Sequence, residues 1–215
     1  MTDREPVNIM GVVAFPNPNK DERVIRFIDS EYHTLFTIKD GESIVITRFD
    51  GEKMVFPCKY IDDCHVCIGN SAYHICEFAE MQERNGNIYV PSAPKISDEI
   101  CTYEIYQIPA TADVDYYFRS YAAAKGKLRS ADYQRSYAGM YAKGNSLEDL
   151  WAKHNRDSRP FAHRMRSMSV SDIVVLTQGG KKTAYYADTI GFKEVPEFLA
   201  QQRAQKKHKE RGEAR

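Results

Sequence analysis

Nothing in the 215 residues approaches the ~20 consecutive apolar residues of a membrane helix, and the opening Met1-Thr2-Asp3-Arg4-Glu5-Pro6 does not look like a secretion signal. A cytoplasmic chain with no membrane partner is expected. Cysteine is scarce and odd in number, five in all, so reduced thiols are expected rather than a disulfide framework. There is no Gly-rich phosphate loop, no HExxH and no dinucleotide fingerprint, which withdraws sequence support for nucleotide chemistry and leaves no cofactor expected. No internal repeat or heptad is visible. Net charge is missing too, with 30 Lys and Arg against 30 Asp and Glu. That absence is a cancellation. Residues 1–100 carry 10 Lys and Arg against 17 Asp and Glu, net −7, and the remaining 115 carry 20 against 13, net +7.

What is present fits a folded chain. Apolar residues make up 42% and charged residues 28%, which excludes collagen-like, disordered and membrane classes. A chain of this length buries roughly 70% of its unfolded surface, enough for a core in one or two domains.

The first twenty residues, closed by Pro16-Asn17-Pro18-Asn19, are expected to form a flexible arm. Val24 to Ser30 has strand composition. Asp40-Gly41 and Asp50-Gly51 punctuate Thr34 to Ile38, Ser43 to Thr47 and Lys53 to Phe56, and Asp-Gly accepts the positive φ of a tight turn, so an antiparallel meander is predicted. Cys58 to Ile68 suits a further strand pair or a loop. Ser71 is placed as the cap of a helix from Ala72 to Asn85, with Ile75, Phe78 and Ala79 on one face and Gly86 ending it. Around Pro91-Ser92-Ala93-Pro94-Lys95 the charge changes sign, and the domain boundary is drawn there, with 21–92 an acidic domain and 93–100 a linker.

Cys101 to Ile108 reads as a strand. Val114, Tyr117, Phe118, Tyr121 and Ala122 at helical spacing predict a helix from Asp113 to Lys125, stopped by Gly126. Short strands with turns follow from Leu128 to Met140. Asn145 with Glu148 is assigned as a capping box opening a short helix with Leu147, Leu150 and Trp151 on its apolar face. Ile173 to Leu176 and Thr183 to Asp188 predict a hairpin across Gln178-Gly179-Gly180, and Pro196 starts a final helix anchored by Phe198 and Leu199. The basic tail, 201–215, is expected to fray. The fold class is therefore α+β in two small domains: an antiparallel β-meander with one helix, then a mixed α+β domain over 101–200 with a C-terminal helix.

From Tyr103 onward the chain resembles the YodL-like domain of conjugative elements and related bacterial proteins. The likeness rests on Tyr103-Glu104-Ile105-Tyr106-Gln107-Ile108, on Ser146-Leu147-Glu148-Asp149-Leu150 before Asn155, and on Ser167-Met168-Ser169-Val170-Ser171-Asp172-Ile173-Val174. It closes with Tyr186-Ala187-Asp188-Thr189-Ile190-Gly191-Phe192 through Phe198. Ser167, Ser169, Ser171, Asp172, Asp188, Gly191 and Phe192 are its motif residues here. The first half, through Tyr60-Ile61-Asp62-Asp63-Cys64-His65 and Tyr73 to Glu80, resembles a small domain of the large polyvalent proteins found beside YodL-like domains. The resemblance implies a protein of a Gram-positive mobile genetic element acting in the bacterial cytoplasm, in a setting that suggests action on host factors, host defence among them. It implies no reaction.

Several constellations have competing explanations. Cys58, Cys64, Cys67 and His74 could supply a zinc site, because Cys64-His65-Val66-Cys67 has CxxC spacing, but a clean second pair is missing and cysteine also serves as a small buried hydrophobe. A redox role for the pair is opposed by Asp62 and Asp63, which raise rather than lower a thiol's pKa. Ser169, Ser171, His163 and Asp172 assemble a triad on paper, yet no glycine flanks the serines as in a nucleophile elbow. The alternation of Ser167, Ser169 and Ser171 suits a strand with one polar face, or a turn in which Asp172 bonds nearby backbone.

The segment His154 to Arg166 is the most distinctive. Arg156, Arg159, Arg164 and Arg166 provide planar fork donors, with Phe161, His163 and Met165 interleaved, which suits a nucleic-acid backbone or an acidic protein face. The alternative is a solvated loop, or arginines paired with the acidic first domain. Arg203, Lys206, Lys207, Lys209 and Arg211 add a second basic element. The expected function is a non-catalytic binding protein that engages a host protein or ribonucleoprotein through Arg156, Arg159, Phe161, His163, Arg164 and Arg166, as an inhibitor of restriction or CRISPR-type defence. The alternatives are a Cys/His or Ser/His hydrolase or modifying enzyme, and a zinc-stabilised structural module.

Overall fold

A computed structural model describes residues 24–28, 34–47, 53–62, 65–74, 88–91, 101–157, 159, 162 and 165–213. The predicted arm and linker lie outside the described residues. The fold is α+β, built from antiparallel sheets and a few helices.

In the first half, β1 (Val24–Ile28) and β2 (Thr34–Lys39) form a two-stranded ribbon in which Phe27 faces Phe36 with stacked rings 4.5 Å apart. The second sheet contains β3 (Ser43–Thr47), β4 (Lys53–Asp62), β5 (His65–Ile68), β6 (Ser71–His74) and β7 (Ile88–Pro91), in the order β6-β5-β4-β3-β7. Ribbon and sheet share one core of Ile25, Phe27, Phe36, Ile38, Ile44, Cys58, Val66 and Ile68. Met140 and Ala142 from the second half are buried in the same core.

Two expectations change here. The predicted meander holds between β3 and β4, which pair from Thr47↔Lys53 to Ser43↔Pro57 around Asp50-Gly51. Asp40-Gly41 is instead a corner between sheets: Gly41 N–H donates to Cys58 O, Cys58 N–H donates to Glu42 O, and Asp40 Oδ1 accepts from Tyr60 N–H at 2.8 Å. Ser71 does not cap a helix. Gly69, at φ +62°, and Asn70 form a two-residue hairpin turn, so Ser71 to His74 continues as β6 against β5, with Ile68↔Ser71 and His65↔His74 opposed. A Cβ at Gly69 would lie 2.8 Å from the Phe56 ring, so both space and φ require glycine. Residues 75–85 of the predicted helix lie outside the described residues.

The second half is a sheet of β8 (Cys101–Gln107), β9 (Gln134–Tyr141), β10 (Ile173–Gln178), β11 (Lys181–Ala187) and β12 (Phe192–Glu194), in the order β12-β11-β10-β8-β9. The predicted hairpin of β10 and β11 is present, with Gly179 and Gly180 at φ +54° and +72°. Ile173, Val174 and Val175 are all fully buried because both faces are covered. Val174 and Leu176 face a core with Tyr103, Ile105, Leu150 and Met168. Ile173 and Val175 face the opposite core, with Tyr116, Tyr133, Tyr186 and Phe198.

Among the described residues three helices lie with this sheet, α1 (Tyr121–Ala124), α2 (Leu147–Asn155) and the longer α3 (Pro196–Glu213), with one 3-10 turn at Ser130–Asp132. The capping box of α2 sits one residue later than expected: Ser146 is the cap, its Oγ accepting from Asp149 N–H at 3.2 Å and its own N–H donating to Asp149 Oδ2 at 2.7 Å. Helix α3 continues to Glu213 rather than fraying at Gln201. Gln201 ties it down, accepting from Ser130 N–H at 2.6 Å and donating to Leu128 O at 3.0 Å.

Candidate binding surface

The helix expected over 113–125 is mostly absent, and its absence builds the site. Tyr117 N–H donates to Val114 O and Arg119 N–H to Tyr116 O, which are tight-turn bonds. Between them Phe118 stands at φ +57°, and its N–H donates to Ser171 Oγ at 3.0 Å. Ser171 is itself left-handed, at φ +78°, and fully buried. Its N–H donates to Ala187 O at 2.9 Å and its carbonyl accepts from Tyr133 Oη at 3.0 Å. Two non-glycine residues in this conformation, joined by one hydrogen bond, hold the Phe118 ring 52% exposed and stacked on Tyr117 at 3.9 Å. Helical spacing alone could not reveal this, because the bond that breaks the helix comes from 53 residues away.

Arg166 completes the platform. Its guanidinium lies 5.1 Å from the centre of the Phe118 ring and 5.7 Å from that of Tyr117. The same group grips fully buried Asp172 with both fork nitrogens: Nη2 bonds Oδ1, and Nη1 donates to Oδ2 at 2.9 Å and to Ser167 O at 3.0 Å. Asp172 Oδ2 also accepts from Gln107 Nε2 at 2.8 Å and from Ser169 N–H at 2.9 Å. Burial pushes its carboxyl up, and the Arg166 charge with these donors opposes that shift. Among the described residues Asp172 is engaged by Arg166, Gln107 and the Ser169 N–H, and by no histidine. Residues 167–168 are irregular and 169–172 form a turn closed by Asp172 N–H donating to Ser169 O, not a polar-faced strand; of the two readings the sequence allows, the Asp172-bonded turn is the one observed.

The other motif residues are also structural. Asp188 Oδ1 accepts from Tyr121 N–H at 3.0 Å and Thr189 N–H at 2.8 Å, so it caps α1 from another part of the chain. Desolvation would raise its carboxyl, but these N–H bonds hold it below its ordinary value. Asp188 N–H donates to Gly191 O, and Gly191 supplies φ +65° at the end of that turn. Phe192 meets the Trp151 ring edge-on at 6.2 Å.

The basic segment divides. Phe161, His163 and Arg164 lie outside the described residues. Arg156 and Arg159 are half-buried, and the Nε of each is buried without a hydrogen-bond partner among the described residues. They approach His154, which is fully buried on α2. His154 Nε2 and Tyr103 Oη are 2.8 Å apart, and the Tyr137 ring meets the imidazole edge-on at 4.7 Å. Burial lowers the His154 pKa well below 6.5, and the cations Lys153, Arg156 and Arg159 lower it further, so the ring is neutral.

Cys58 and Cys67 do not converge. Cys58 is opposed to Ile68 and Cys67 to Lys59, so their side chains leave opposite faces of the β4–β5 pair. Burial pushes the Cys58 thiol up to about 12, unlike a metal-binding or reactive thiolate. Among the described residues no group of three His, Cys, Asp or Glu could hold a metal ion. Cys64 and the His74 side chain lie outside them. His65, for which the sequence suggests no partner, bonds Asp62 through Nδ1 at 2.8 Å.

The ordered motifs and their packing around one sheet coincide with a recognised unit: the family model of the YodL-like domain matches residues 102–198. A YodL-like domain lies here. No curated protein matches the chain, and no solved structure does. The Phe118–Arg166 platform and the Asp172 junction both fall within this YodL-like domain. Among the described residues no helix is long and apolar enough to cross a membrane.

Proposed function

We propose that this chain is a non-catalytic binding protein of a bacterial mobile genetic element, acting in the cytoplasm, and that it engages a host protein or ribonucleoprotein through the Phe118–Arg166 platform. The observation that carries this is the exposed Phe118 ring on left-handed backbone. That conformation costs a bulky residue about 1–2 kcal/mol, and exposing the ring returns little to the domain's own packing. Aromatic and Arg side chains dominate the energetics of protein interfaces, and Asp172 already holds this guanidinium flat and oriented, so less side-chain freedom is lost on binding. Because its fork is occupied by Asp172, Arg166 offers a partner its flat face rather than the bidentate grip expected of it.

The mobile-element setting rests on the resemblance of the second half to YodL-like domains and of the first half to large polyvalent proteins. Inhibition of restriction or CRISPR-type defence extends that setting. The ribonucleoprotein option draws support from α3, where Arg203, Lys206, Lys207 and Arg211 are exposed beyond its docked first turns.

The test is affinity capture from bacterial host lysate with the full chain and with Phe118→Asn, a residue that tolerates φ above zero. Loss of a saturable partner, with unfolding unchanged within about 1 kcal/mol, supports the platform. Retention of that partner by the variant overturns it. A nuclease-treated arm separates protein from ribonucleoprotein.

A further inference from the structure

The two faces of the YodL-like sheet treat their cations differently at the β10–β11 end. On the α3 face, Lys182 and Arg135 converge on Glu104, each at 3.2 Å from one of its carboxylate oxygens. On the α2 face, Leu176 is opposed to Thr183, Gln178 to Lys181 and Val174 to Tyr185, so these side chains share one surface. Helix α2 covers only part of it. The uncovered part is a groove of about 410 Å³ between the β10–β11 turn and the turn after β9, lined by Tyr141, Lys143, Leu176, Lys181, Thr183 and Tyr185 together with Gln178 and Gly179.

Among the described residues two ammonium groups line this groove and no carboxylate does. Within the described residues, Lys143, Lys181, Gln178 and Thr183 make no side-chain hydrogen bond or ion pair. Unlike Lys182, these two lysines are matched by no carboxylate among the described residues. Leu176 and Tyr185 supply a half-buried apolar floor. The volume lies within the range of small-molecule sites and exceeds what a bare inorganic ion fills.

We propose that this groove binds a small organic phosphate, its phosphate between Lys143 and Lys181 and its body against Leu176 and Tyr185. Phosphate is favoured over carboxylate because a monoester carries a charge of about −1.5 to −2 and three acceptor oxygens, matching two point cations with hydroxyl and amide donors beside them. This site is separate from the Phe118–Arg166 platform and stands or falls independently of it.

Phenyl phosphate, inorganic phosphate and benzoate are titrated into the ¹⁵N-labelled full chain and followed by amide shifts. Phenyl phosphate should shift Gln178, Gly179, Lys181 and Thr183 saturably and bind more tightly than the other two. It should tighten as pH rises from about 5 to 7, through the second phosphate ionisation. Lys143→Gln with Lys181→Gln should weaken it at least about tenfold, whereas Lys182→Gln on the other face leaves it unchanged. No saturable shift by about 10 mM, equal binding of benzoate, or full affinity in the double variant overturns the site. Adenosine monophosphate and a 5′-phosphorylated trinucleotide separate a free ligand from a strand end: the tighter of the two names the source, and binding of neither overturns the proposal.

Discussion

The two five-stranded sheets are assembled by different means. In the first, β3 to β6 are neighbours in space in the order they occur in sequence, with β3, β4 and β5 each pairing with the strand that follows it after only a few residues. In the second, β8 is inserted between β9 and β10, so its pairing joins Tyr106 to Ile173 across two helices, a 3-10 turn and a strand. Distant pairing has no turn to set its register. A buried polar junction does so instead: Gln107, at the end of β8, bonds Asp172, immediately before β10, and the Arg166 fork closes the same carboxylate. Strands β3 to β6 of the first sheet are paired between sequence neighbours, with β7 alone joining from a distance at the β3 edge, whereas β8 and β10 of the second are fixed by a polar contact that only one register satisfies.

Removing the junction is the severest way to break that contrast. Asp172→Ala leaves Arg166, Gln107 and the Ser169 N–H without their acceptor, and should cost about 3 kcal/mol, the low end for a broken buried pair because Arg166 keeps 28% of its surface in water. Urea unfolding at neutral pH measures it, and a loss below about 1 kcal/mol would mean that the junction does not hold β8 in place.

Acidification should act on the second half through His154. Its folded pKa lies below its unfolded value, so the unfolded chain takes up the proton first. Stability is therefore full above pH 6.5 and falls as pH drops below it. Unfolding midpoints at about pH 5 and pH 7.5 should show this fall, and His154→Gln should flatten it. A smaller effect is expected at the α2 cap, where Ser146→Ala should cost about 1 kcal/mol, read as a lowered midpoint with unchanged slope. Smallest of all, Asp40→Ala at the exposed corner of the first sheet removes one bond to Tyr60 N–H and should cost under about 1 kcal/mol. If Asp40→Ala costs as much as Asp172→Ala, the two sheets do not differ as described.

Much of the fold was legible. The apolar runs Ile173 to Leu176 and Ser43 to Thr47, with Asp-Gly or Gly-Gly beside them, carry strand and turn in adjacent residues. The YodL-like motifs were equally readable. Two local signals were misassigned rather than missing: Gly69-Asn70 is a hairpin turn, and Ser146 with Asp149 caps α2 as well as Asn145 with Glu148 could.

The site was less legible. The amino-acid sequence by itself determined the opposed charges of the two halves, the strands and their short turns, and the presence of Arg166 and Asp172 six residues apart, because each depends on residue type or near spacing. Only tertiary structure decided that Arg166 is spent on Asp172, that the 113–125 helix breaks, and that Phe118 points outward. The reason is the same in each case: a backbone N–H takes whichever acceptor the fold delivers, and Ser171 Oγ reaches Phe118 from a turn that local periodicity does not register.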